Sequence, residues 1–268
     1  MKKAIAYARL LPIYVLIPWL ATFIIPLLFF FVASPFFLTQ AEARGDTASS
    51  KLAMDAANVI LGALIYFLIA RWRLRKTGQY LSLKHEISRE FHIFKRSLGR
   101  FVPADVFLLI TIVSISIVFA FLYLRLGQSS EAYYSVPMNL NALFLGPLSE
   151  EFLFRRTLFR DFKHMKLNGF CLSSALIFML NHGYDFSVSA LVYLTQVFFV
   201  GLFAALLYEK SKSVFLASFF HIMSNATITI GMVFAGKLDV QNIPILPLLV
   251  VVLIVAVPGM IRLFHTRS

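Results

Sequence analysis

Uninterrupted apolar runs recur along this chain, and several reach the roughly 20 residues needed to cross a bilayer. Inside hydrocarbon every backbone N–H and C=O must be satisfied within the protein, so only helices and closed barrels can span it. A barrel requires short strands of alternating polarity, and these runs are continuous. The expected fold class is therefore all-α, a polytopic membrane bundle. Composition agrees: the chain is 59% hydrophobic and 14% charged, with a mean hydropathy of +0.80, whereas soluble domains lie nearer half apolar.

Eight spans fit the pattern, at about 10–38, 54–71, 102–124, 137–160, 170–183, 187–208, 213–235 and 243–262. The first is interrupted by Pro12, Pro18, Pro26 and Pro35. It is far longer than the 7–15-residue apolar core of a cleaved signal peptide, so it is expected to be retained. Three regions follow: 1–126, N-terminal helices with a basic loop at 71–100; 137–235, a core carrying the polar motifs; and 243–268, a final helix and tail.

Charge tests this drawing. The formal net charge is +12, and the 71–100 loop alone holds nine Lys and Arg. Another five, Arg155, Arg156, Arg160, Lys163 and Lys166, follow in 155–166. With eight spans, these clusters, Lys210, Lys212 and both termini share one side, which the positive-inside rule makes cytoplasmic. The basic excess then reads as topology and contact with anionic lipid. No basic-aromatic platform points to nucleic acid. Cys171 is the single cysteine, which rules out an internal disulfide. Nothing demands a eukaryotic source, and the expected location is a bacterial inner (plasma) membrane.

Against that background 149-SEEFLFRR-156 stands out. A charge at mid-membrane costs about 2.5–3.5 kcal/mol on insertion scales and normally faces a bundle interior or a wet cavity. Glu151 and Arg155 are four apart, on one helical face, and can pair. Glu150 points about 100° away, with no such basic partner, free to meet water. Pro147 and Ser149 just before it suggest a helix start or break. Two more constellations follow: 178-FMLNH-182, with His182 near a span end beside Asn181 and Asp185, and 221-HIMSN-225, where His221 and Asn225 share a face. Each alone could be packing or interhelical glue. Taken together, they fall at broadly similar depth in the drawn topology. A carboxylate, two imidazoles and an amide suffice for hydrolysis: a base for water, a group to hold it, and donors for an oxyanion. The pair 85-HE-86 does not extend to HExxH, because position 89 is Arg, and it reads as a solvated surface.

At these residues the chain resembles the CPBP (or Abi) family, the CAAX-protease and bacteriocin-processing intramembrane proteases. The family's EExxxR stands as 147-PLSEEFLFR-155, its FxxxH as Phe178 to His182, and its HxxxN as His221 to Asn225. The resemblance covers about 137–230. It departs at Arg156, where many members carry glycine. The resemblance implies that Glu150 activates water held by His182, that His221 and Asn225 stabilise the oxyanion, and that Glu151, Arg155 and Phe178 support the site. It leaves open whether Glu150, His182 and His221 ligate Zn²⁺ with one open position or act with water alone. It implies a membrane-associated peptide or lipidated CAAX-like protein as substrate. A non-catalytic scaffold or bacteriocin self-immunity partner keeps the same fold, and a proton-coupled transporter also uses buried Glu and His.

The topology is directly testable. A cysteine at Ser130→Cys should react with an impermeant maleimide on intact cells, and one at Ser88→Cys only after permeabilisation; the reverse pattern would contradict the drawing.

Overall fold

The computed structural model describes residues 10–18, 20, 24, 47–78, 82–98, 103–126, 141–162, 165, 167–182, 187–235 and 250, and among them every regular element is helical. After a π-helical turn at Pro12–Leu16 come α1 (Thr47–Lys76), α2 (Leu83–Leu98) and α3 (Pro103–Arg125). The helix α4 runs unbroken over 141–161, in four segments: Asn141–Leu145, Gly146–Glu151, Phe152–Thr157 and Leu158–Asp161. It is followed by α5 (Leu167–Leu180), α6 (Val188–Ser211) and α7 (Val214–Ala235). Two apolar stretches among the described residues are long enough to cross a membrane, Val188–Ser211 and Val214–Met232; Leu109–Arg125 and Gly169–Leu180 are apolar but shorter. The expected span at 243–262 and most of that at 10–38 lie outside the described residues.

The helices begin and end where local chemistry dictates. Pro103 opens α3, where its missing N–H costs nothing. Ser187 caps α6, its Oγ accepting from the Ala190 N–H at 3.1 Å. The same helix closes at Lys212, whose φ of 57° turns the chain into α7. α1 extends past the expected 54–71 at both ends, carrying Arg73, Arg75 and Lys76 in its last turn, where cations complement the helix dipole.

Two glycines allow close helix approach. A Cβ on Gly201 of α6 would lie 3.0 Å from Phe178 Cδ1 and 3.2 Å from Ala175 Cα on α5. One on Gly231 of α7 would lie 2.8 Å from Ala120 Cβ on α3. Small residues serve this purpose throughout membrane bundles, where packing rather than solvent exclusion holds helices together. Buried Ser116 on α3 and Ser224 on α7 add a hydroxyl–hydroxyl contact at 2.8 Å.

The structure corrects the reading of Glu86. It is not a solvated surface residue. α2 is amphipathic with a polar inner face, and Glu86 and Glu90 are both buried. Both carboxylates clasp the guanidinium of fully buried Arg156 on α4, while Glu90 also accepts from the Val214 N–H at 3.0 Å, at the start of α7. Phe94 of α2 meets Phe215 edge-on, centroids 6.3 Å apart. Arg156 thus anchors α2 against α4 and α7. At the far end of α4, Asp161 accepts from Tyr14 Oη at 2.5 Å and from Arg73 Nε at 2.6 Å.

Removing one member of a buried charge cluster leaves its partners uncompensated, at about 3–5 kcal/mol. Arg156→Met alone should therefore lower the unfolding temperature in detergent clearly. Adding Glu86→Gln and Glu90→Gln should recover much of the loss, since an amide oxygen at position 90 still accepts from the Val214 N–H. A combined variant no more stable than the single one would contradict the clasp.

Candidate functional site

A cavity of about 350 Å³ opens between the helices, and the residues singled out in the sequence meet there. α4 contributes Glu150, the end of α5 contributes Phe178 and His182, and α7 contributes His221 and Asn225. The route by which these helices converge runs through the neighbouring glutamate.

Glu151 is fully buried. Its Oε1 accepts from His221 Nδ1 at 3.0 Å, and its Oε2 lies 2.9 Å from Arg155 Nε, one turn along α4. Arg155, also fully buried, donates from Nη1 to Ser174 Oγ at 3.2 Å on α5. Ser174 in turn donates to the Phe154 carbonyl at 3.1 Å. The guanidinium lies over the Phe178 ring, 4.8 Å from its centroid. That ring meets His182 at 4.5 Å and His221 edge-on at 5.6 Å. One ion pair therefore ties α4 to α5 through Ser174 and Phe178, and to α7 through His221.

Consecutive helical side chains diverge by about 100°, so Glu150 leaves this buried network and enters the cavity, its side chain 17% exposed. Its Oε1 is 3.9 Å from His182 Nε2, and its Oε2 is 3.9 Å from His221 Nε2. His182 stands just past the end of α5, where its Nδ1 donates to the Phe178 carbonyl at 2.9 Å. A carbonyl only accepts, so Nδ1 carries hydrogen, and in the neutral ring Nε2 presents a lone pair to Glu150.

Of the helix start or break expected at Pro147, the structure shows no break in the chain of helical turns but an α-helical segment that starts there, Gly146–Glu151, with Pro147 in its first turn. Turns of π-helix at Asn141–Leu145 and Phe152–Thr157 bracket this segment. Such wide turns recur at functional sites because they shift side-chain phase. Pro147, lacking an N–H, falls at the junction. Gly146 fits there because an added Cβ would lie 3.0 Å from the Asn141 carbonyl oxygen. Ser218 of α7 donates to the Pro147 carbonyl at 3.4 Å, holding the two helices beside the cavity.

Asn181 is buried and donates to the carbonyls of Tyr14 and Ile177, both at 2.8 Å, tying α5 to the N-terminal turn. Asp185 lies outside the described residues. The sequence reading missed Tyr193 and Gln196, which line the cavity from α6. Gln196 is buried, and its Oε1 accepts from Tyr123 Oη at 2.5 Å. A lone glutamine in an apolar 24-residue helix was the available signal, since an intramembrane polar residue normally faces a partner or a cavity.

Zinc at Glu150, His182 and His221 would need a carboxylate oxygen and both nitrogens about 2.0–2.2 Å from one point. Among the described residues no three His, Cys, Asp or Glu side chains converge that way. The two imidazoles face different oxygens of Glu150. Each nitrogen lies 3.9 Å from its carboxylate oxygen, wider than the edge of about 3.4 Å that tetrahedral zinc with bonds of about 2.0–2.2 Å sets.

Residues 132–227 match the model of a family described as Type II CAAX prenyl endopeptidase Rce1-like. This segment contains all three motifs and overlaps most of the stretch that carries the resemblance. No curated protein and no solved structure matches the chain. The family match and the apolar helices together are those of an integral membrane protein.

The two glutamates should separate in stability. Glu151→Gln strands buried Arg155 and should cost about 3 kcal/mol or more, read as a fall in unfolding temperature. Glu150→Gln, which loses only two looser approaches of 3.9 Å, to His182 and His221, in a partly exposed cavity, should unfold within a few degrees of wild type. Equal losses would contradict the division of roles.

Proposed function

We propose that this chain, Rce1-like over 132–227, is an intramembrane endopeptidase whose reacting water lies between Glu150 and His182. One observation carries the reading: the Glu150 carboxylate and His182 Nε2, an acceptor in the neutral ring, face each other 3.9 Å apart in a cavity. They are too far apart for a direct hydrogen bond. A water about 2.8 Å from each can donate one hydrogen to either side, leaving its oxygen lone pairs directed away from both. Water held in this way is oriented for attack and already shares a proton with its base.

In the proposed reaction, Glu150 takes a proton as the water oxygen adds to the scissile carbonyl carbon. The carbonyl π electrons move to oxygen, and Asn225 Nδ2–H and His221 Nε2–H donate to the resulting oxyanion. Glu150 then returns its proton to the amide nitrogen as the C–N bond breaks. His221 can donate from Nε2 only if it also keeps the Nδ1 hydrogen held by Glu151, so the oxyanion donor is the imidazolium. Glu151 supports that charge, and Arg155 balances Glu151. Phe178 positions both imidazoles, by its ring and, for His182, by its carbonyl.

The substrate of this reading is a membrane-associated peptide or lipidated CAAX-like protein. The catalytic core is 137–235, set in a bundle of about eight spans with both termini on the basic, cytoplasmic side. The apolar lining contributed by Val59, Val197 and Val200 suits a substrate presented from lipid.

The test is cleavage of a farnesylated CAAX peptide by the full chain in liposomes. Glu150→Gln should lower the rate by about 10²–10⁴, and Asn225→Ala by about 10²–10³. A Glu150→Gln protein that cleaves at the wild-type rate would overturn the assignment.

A further inference from the structure

A second cavity, of about 390 Å³, lies where the last turns of α2 and α6 meet the start of α7. Arg96, Lys210 and Lys212 line it, and among the described residues no carboxylate does. Ile93 supplies a partly exposed apolar wall; Leu207 and Leu216 also line the cavity but are almost fully buried. Ser97 Oγ reaches the Ser211 carbonyl at 3.5 Å, joining α2 to α6 at this edge.

Three observations say what fits there. The first is charge. Arg96 and Lys210 are exposed, while Lys212 is fixed, paired with Glu209 and stacked 3.9 Å over the Phe159 ring. Lys212 also holds φ at 57°, a backbone region that favours glycine.

The second observation is depth. The cavity sits between the end of one membrane-length helix, Val188–Ser211, and the start of the next, Val214–Met232. If both helices cross the membrane, this end lies where apolar and aqueous surroundings meet. The third is the character of α2. It exposes Ile87 and Phe91, 52% and 59% accessible and one turn apart, beside the exposed cations Lys84 and Lys95. An amphipathic helix of this kind lies at headgroup level.

We propose that this cavity binds one anionic phospholipid, its headgroup phosphate held by Arg96 and Lys210 and the start of its acyl region against Ile93. A free phosphate would satisfy the cations but leave the apolar wall unused. The proposal does not rest on the proteolytic reading of the first cavity.

The experiment uses the full chain reconstituted with phosphatidylglycerol and phosphatidylcholine, extracted into mild detergent and weighed by native mass spectrometry. Wild type should retain one phosphatidylglycerol. Arg96→Ala/Lys210→Ala should reduce the retained fraction by about tenfold or more, at roughly 1 kcal/mol for each surface cation. Arg96→Lys/Lys210→Arg should keep it. Lys84→Ala/Lys95→Ala removes the same charge from residues of α2 that do not line the cavity and should lower retention clearly less than the first pair. Equal loss in both alanine doubles would mean diffuse surface charge, and unchanged retention in the first would mean the lipid sits elsewhere. Full displacement by millimolar inorganic phosphate would mean a free-anion site. Each of these outcomes overturns the proposal.

Discussion

The buried ion pair of Glu151 and Arg155 is the contact on which the site depends. Both side chains are fully enclosed. Two charges removed from water need further partners, because the pair alone rarely offsets its own desolvation. Those partners are the structure of the site: His221 Nδ1 on one carboxylate oxygen, Ser174 on the guanidinium, and the Phe178 ring beneath it. Satisfying one pair of charges thereby fixes α4, α5 and α7 against one another. The two imidazoles then stand on either side of the carboxylate next along the chain.

Adjacent glutamates with opposite fates follow from helix geometry. A 100° step turns Glu151 into the protein and Glu150 into the cavity. Arg156 extends the same logic outward. It is the next residue after Arg155, points elsewhere, and meets Glu86 and Glu90 from α2. The run 149-SEEFLFRR-156 thus serves three directions at once: the cavity, the buried core and the amphipathic helix below it.

Much of this was legible in the sequence, for identifiable reasons. α3, α6 and α7 follow their apolar runs closely, since length and hydropathy alone define such helices. The pairing of Glu151 with Arg155 followed from spacing, and the meeting of Glu150 with His182 and His221 from shared depth. The contacts that were not legible are those set by tertiary partners. Arg156 and Glu86 are separated by most of two helices in the chain, and no local period marks their meeting. Gln196 finds Tyr123 from 73 positions away. The π-helical turns on either side of Gly146–Glu151 were not legible, where sequence alone suggested a helix start or a break.

The central claim is that Glu150 is the base for peptide hydrolysis in a folded, intact membrane protein. It is tested most directly by comparing peptide ends in membranes from cells carrying wild type or Glu150→Ala at equal protein levels. The account predicts a set of ends beside membrane or lipidated segments that vanish in the variant. Identical ends in both, with the variant still fully functional, would contradict it and favour a scaffold built on the same fold.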